Sequence, residues 1–199
     1  MIFGGAKVNG VIFSAAKKTK ILVTHGKRIR EALEDDEITF TEEDVDGLVL
    51  PHNDALVISL NILDFKVKRM LVNPGSSANI IQLRVLEQAK LTENIVPGIK
   101  LLAGFNLTSV TTLGEILPPT HAKDITKTTL FEVMDGDMGY NVILERHWIH
   151  EMKAVPLTYH QFLKFPTSEG IKQIRGDQPA VREMNAVTLS SSKAEGKSK

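Results

Sequence analysis

The chain has 199 residues, 42% of them hydrophobic, and its 24 basic and 24 acidic side chains give a formal net charge of +0. That is enough for one ordinary domain with a core plus tails, and the balance removes any global pull toward nucleic acid or an acidic membrane surface. The absence of Cys excludes a disulfide framework and a thiolate metal site, and no apolar run approaches the roughly 20 residues of a membrane span, so an intracellular setting without membrane insertion is expected.

Residues 1–35 read as a linker or disordered arm, interrupted by Gly4, Gly5 and Gly10. Residues 17–30 are basic and could touch nucleic-acid phosphates. However, no aromatic is interleaved and an acidic run from Glu34 to Glu37 follows, so this is the weaker reading. The domain is expected over 36–178. Ile38-Thr39-Phe40 is β-prone, and Thr41 stands as an N-cap before Glu42, Glu43 and Asp44. Ala55 to Leu63 is apolar nearly throughout, the pattern of a strand covered on both faces. A turn at Asp64-Phe65 leads to a return strand from Val67 to Val72, which delivers Asn73 into a tight turn of small and polar residues.

After that turn, Ile80, Leu83, Leu86 and Ala89 recur at helical spacing, with Ser76, Ser77 or Asn79 as caps. Strands are then expected at 100–105, at 110–117 (stopped by Pro118-Pro119), at 126–134 and at 140–144, with a turn cluster at 135–139. Arg146 to Met152 suggests one or two helical turns. Further strands follow at 153–156 and 161–165, and after a turn at 166–170 residues 171–174 pair back. Residues 179–199 read as linker and disordered tail. Many short strands with one central helix predict a mainly β barrel or sandwich.

Several segments together resemble the protease region of plant gypsy-type LTR-retrotransposon gag-pol polyproteins. They are Ile38 to Asp44, Pro51 to Ile58, Leu71 to Ile80, Tyr140 to Arg146, Tyr159 to Thr167 and Ile174 to Gln178. In order and spacing the resemblance spans about 38–189. It implies a retropepsin-like closed barrel with one short helix, working as a homodimer on a polypeptide substrate, with no cofactor and no metal. It also implies a cytoplasmic or retroelement-particle location. Asn73, Pro74 and Gly75 fall on the catalytic loop, where the family reads Asp-Thr/Ser-Gly or Asp-Asn-Gly. Ser76 and Ser77 follow on the substrate side. Gly104 to Gly114 matches the flap, so that Gly104, Phe105 and Gly114 join the substrate-binding set.

An aspartic protease needs two carboxylates close enough to share one proton. The ionised one takes a proton from water and the protonated one polarises the scissile carbonyl. Asn73 cannot take that proton, so this copy is expected to be inactive as a protease. Pro74 lacks the hydroxyl that other members carry there. Glu145 replaces a Gly of the family's Ile-Leu-Gly-Arg segment, a costly change wherever the backbone needs positive φ or has no room for a side chain. The alternative is a non-catalytic dimer that binds extended peptides by strand addition. His147 and His150, with Glu151 beside them, give a weak zinc pattern. No Gly-x-Ser-x-Gly elbow accompanies Ser76 or Ser77.

Overall fold

The computed structural model describes residues 37–103, 109–136 and 138–184. The expected basic arm, the tail beyond 184, and Gly104 and Phe105 lie outside these residues.

The first half of the frame is a hairpin. β1 (Val57–Ile62) runs antiparallel to β2 (Phe65–Val72), with Val57 opposite Leu71 and Ile62 opposite Phe65. Leu63 makes the reversal with φ at 52°. The chain then forms β3 (Ile80–Gln82) and α1 (Leu83–Gln88), followed by β4 (Val96–Pro97), β5 (Leu101–Ala103), β6 (Ser109–Thr111) and β7 (Gly114–Ile116). Next come β8 (Pro119–Ala122), β9 (Ile125–Thr128), β10 (Phe131–Met134), β11 (Val142–Leu144) and α2 (Arg146–Glu151). The chain closes with β12 (Val155–Leu157), β13 (Phe162–Thr167) and β14 (Gly170–Arg175).

Nine strands form one curled half-barrel sheet in the order β4-β7-β10-β3-β11-β2-β1-β8-β9. β12, β13 and β14 make an antiparallel sheet of their own, and β5 and β6 make a two-stranded ribbon. The core sits where the middle of the large sheet is covered. Ile58, Met70, Ile81, Phe131, Val133, Val142, Leu144, Leu163, Phe165 and Trp148 are all at most 2% exposed. Burying each large apolar side chain contributes about 1.5–3 kcal/mol against the chain's lost entropy.

The mainly β architecture matches the sequence expectation, with local differences. The helix expected from Ile80 begins only at Leu83. Ile80 and Ile81 extend instead because β10 pairs with them on one side and β11 on the other. The expected strand at 126–134 is two strands, parted where the Thr129 N–H turns to donate to Pro118 O at 3.0 Å. Pro119 does not end the sheet. It opens β8, a first-residue position where the missing N–H costs nothing, and its carbonyl accepts from Leu63 N at 2.8 Å. Ile38-Thr39-Phe40 forms no strand, and the Thr41 turn runs only through the 3₁₀ segment Glu42–Val45. At the other end, residues 178–184 are helical, with Gln178 and Val181 buried, so the ordered frame runs past 178.

Candidate active-site turn

The crossing of β11 between β2 and β3 creates the site. β11 runs parallel to β2, with Leu144 beside Val72, and antiparallel to β3, with Val142 beside Ile81. The chain leaving β2 must therefore arch over the end of β11 to reach β3. Residues 73–79 make that arch.

Its geometry is fixed at nearly every residue. Asn73 N donates to Leu144 O at 2.9 Å, and Ser76 N closes the turn onto Asn73 O at 3.1 Å. The half-buried Asn73 folds its carboxamide back, and Oδ1 accepts from Gly75 N at 3.0 Å. A Cβ on Gly75 would stand 3.2 Å from that same oxygen, so a side chain there would crowd the contact. Ser76 Oγ donates to Ala78 O at 2.8 Å. From α2, Arg146 Nε donates to Pro74 O at 2.9 Å, and its backbone N–H reaches Ser76 O at 3.3 Å. Pro74, Gly75 and Ser77 are exposed.

The residue that ties the arch to the frame is Asn79, 7% exposed. Its Nδ2 donates to Leu130 O at 3.0 Å, its Oδ1 accepts from Glu145 N at 2.9 Å, and its carbonyl accepts from Glu132 N at 2.8 Å. Sequence reasoning offered Asn79 only as a helix cap. The available signal was a carboxamide directly before an apolar run, a residue type that is buried only when its donors and acceptors are matched.

Glu145 is accommodated without the expected backbone penalty. Its φ of −86° and ψ of 176° are extended geometry open to any residue. Its side chain lines a groove beside the arch instead of striking the turn.

The flap assignment divides. β5 and β6 form an exposed hairpin on either side of residues 104–108, with Leu101 opposite Thr111. Gly114 lies apart from that ribbon, buried in β7 opposite Pro97 of β4. A Cβ on Gly114 would collide with Val96 O and stand 2.8 Å from Ile95 Cγ2, so packing alone requires glycine there. The ribbon's root is held by Lys100. Its Nζ lies 2.7 Å from both Glu115 Oε2 and Glu132 Oε1, and these hydrogen bonds raise its pKa above the ordinary lysine range. Among the described residues no cluster of His, Asp or Glu could hold a metal ion, and His147 pairs with Glu151 at 3.3 Å. No helix among them is long and apolar enough to cross a membrane.

No protein-family model and no curated protein matches the chain. Among solved structures, the retroviral protease-like domain of Ddi1 from Leishmania major is similar, with a TM-score of 0.50 and 16% identity, over 63% of this chain and 96% of that one. The fold is retropepsin-like. In this retropepsin-like frame the arch at 73–79 presents a neutral carboxamide at Asn73. A carboxamide donates and accepts hydrogen bonds, but it cannot hold the shared proton that peptide hydrolysis by a carboxylate pair requires.

Proposed function

We propose that this chain is the aspartic endopeptidase domain of a plant gypsy-type retrotransposon gag-pol polyprotein, a retropepsin-like barrel that has lost the power to cut. Asn73 at the head of the arch carries this reading, since it occupies the place of the catalytic Asp in the segment that the resemblance matches. Two copies would bring two such turns into one cleft around an extended polypeptide, and Asn73 would supply neither the base nor the acid. General-base help is worth about 10²–10⁴-fold, so its loss removes useful turnover.

The test is proteolysis of a denatured protein mixture at mildly acidic pH, with a peptide-isostere inhibitor as control. The native protein is expected to cut nothing. Asn73→Asp keeps the Oδ1 acceptor used by Gly75 N and is expected to cut in an inhibitor-sensitive way. Inhibitor-sensitive cleavage by the native protein would overturn the assignment of inactivity.

A second reading, a non-catalytic dimeric module that binds extended peptides, is favoured by a specific observation. On and beside the β5–β6 ribbon, Val96, Ile99, Leu101, Val110 and Leu113 are 43–83% exposed. Apolar side chains gathered in this way suit a partner surface. Cleavage and peptide binding by the native protein and Asn73→Asp separate the two: if neither cuts but both bind extended peptide, the binding module is favoured.

A further inference from the structure

β2, β1, β8 and β9 lie side by side in that order at one end of the large sheet. Leu60, Ile62, Val67, Thr120 and Ala122 are buried, so the residues that alternate with them face outward. Lys66 stands opposite Asn61, Asn61 opposite His121, and His121 opposite Thr126. His121 Nδ1 lies 2.9 Å from Thr126 Oγ1, as two side chains on one face must. Lys68, Ser59 and Lys123 follow two residues along their strands, roughly 7 Å away.

A bulge adds a further cation to this second row. The register shifts between Ile58 and Leu60, so that Ser59 faces both Lys68 and Arg69. Arg69 takes a φ of 57°, and the consecutive Lys68 and Arg69 are both exposed. Asn141, just before β11, holds the bulge in place. Its Nδ2 donates to Lys68 O at 2.9 Å and its backbone N–H to Arg69 O at 3.0 Å.

These cations lack counter-charges. Among the described residues Lys66, Lys68 and Lys123 make no ion pair, and Arg69 meets Glu183 only at 3.7 Å between exposed side chains. No Asp or Glu holds an outward position on the four strands. Asp64 and Asp124 sit in turns at opposite ends of the face, and Asp124 also acts on Lys172 of β14. The whole chain is neutral, so this is charge gathered on one face, not a general excess.

A membrane or a folded protein partner would be held by apolar anchors, and the outward positions supply none. Point charges set apart, with a free carboxamide at Asn61 between them, match phosphates spaced along a flexible strand. With no outward aromatic the bases have no stacking platform, so contact is with the backbone alone.

We propose that this face binds the phosphate backbone of a single-stranded nucleic acid, with Lys66, Lys68, Arg69 and Lys123 pairing with phosphates and Asn61 hydrogen-bonding between them. The inference does not rest on the protease reading and uses neither Asn73 nor a second copy. It also assigns the contact to the sheet and not to the basic residues at 17–30.

The full chain is titrated into fluorescein-labelled oligothymidylate at several salt concentrations, and anisotropy gives the affinity. The logarithm of the binding constant is expected to fall with the logarithm of salt at a slope of about −2 to −3. The double variant Lys66→Gln/Lys68→Gln should weaken low-salt binding about tenfold and make the slope shallower by about 1. Lys90→Gln, exposed at the end of α1, should change neither. If the double variant lowers the urea midpoint, Lys123→Gln, in the β8–β9 turn, replaces it and should also flatten the slope. Polyglutamate and vesicles containing phosphatidylserine serve as competitors. Either one displacing the probe as well as unlabelled oligothymidylate does overturns the proposal, as does an absence of binding at low salt. Native affinity in the face variants overturns it too, and gives the binding to residues 17–30.

Discussion

The arch at 73–79 is bonded to the ends of β10 and β11 and to the start of α2, whereas β5 and β6 pair only with each other and meet the frame at their root. That root includes the Lys100 ion contacts, the exchange between Lys100 and Thr112, whose backbone and hydroxyl bonds run at 2.9 and 3.0 Å, and the bond from Leu113 N to Val133 O at 2.8 Å. The mobility of the two regions should differ. The arch can move only if the central sheet opens. The ribbon can swing after losing the few contacts at this root. A site built in this way fixes the group at the floor of its cleft and leaves the cover adjustable.

The most disruptive way to break the contrast is Asn79→Ala. It strands the Leu130 carbonyl and the Glu145 N–H inside the frame and is expected to cost about 3 kcal/mol, read as a fall in the urea midpoint at constant slope. Gly114→Ala forces β4 away from β7 and is expected to cost about 2 kcal/mol, measured as a lowered thermal midpoint.

Acid probes the surrounding frame, which both regions share. Burial pushes the pKa of Asp54 up, but hydrogen bonds from Gln178 and Arg182 outweigh it and hold the group below the ordinary 3.8. Asp44 behaves alike, burial being outweighed by Lys164 and the Thr41 N–H. The unfolded chain therefore binds more protons in this range. The stabilisation is whole above pH 3.8 and drains away as pH falls through the lowered values. Unfolding midpoints should hold down to about pH 4 and drop as pH falls below that, through the lowered values, and Asp54→Asn should flatten that drop.

The smallest global effect and the sharpest local one belong to Lys100→Met. Amide exchange in β5 and β6 should quicken while that of Asn73, Gly75 and Ser76 stays put. Equal quickening in both regions would show that the arch and the ribbon open together.

Much of the frame was legible where the pattern is local. The β1–β2 hairpin follows from two β-rich runs around one reversal, and α2 from a compact stretch after β11. The arch was found because turn chemistry at Pro74-Gly75 sits at the end of an apolar strand. What sequence could not supply was pairing across distance. Ile80 and Ile81 have helical spacing yet lie between two strands more than fifty residues downstream. Thr129 breaks a uniform β pattern for a bond to Pro118. Glu145 looked costly by residue type, but its tolerance depends on a backbone angle and on open space beside it, neither of which is written in its neighbours.

The insertion of β11 between β2 and β3 also orders events in time. When residues 57–82 have left the ribosome, the two strands that will flank β11 have no partner between them, and the arch has nothing beneath it. Only after Val142 to Leu144 emerge can the gap be filled, and only with Arg146 can Pro74 and Ser76 be tied down. Such long loop closures slow folding and leave open strand edges exposed meanwhile. Any copy cut short before Leu144 would keep the β1–β2 hairpin and the whole of the arch's own sequence, yet have no means of shaping it.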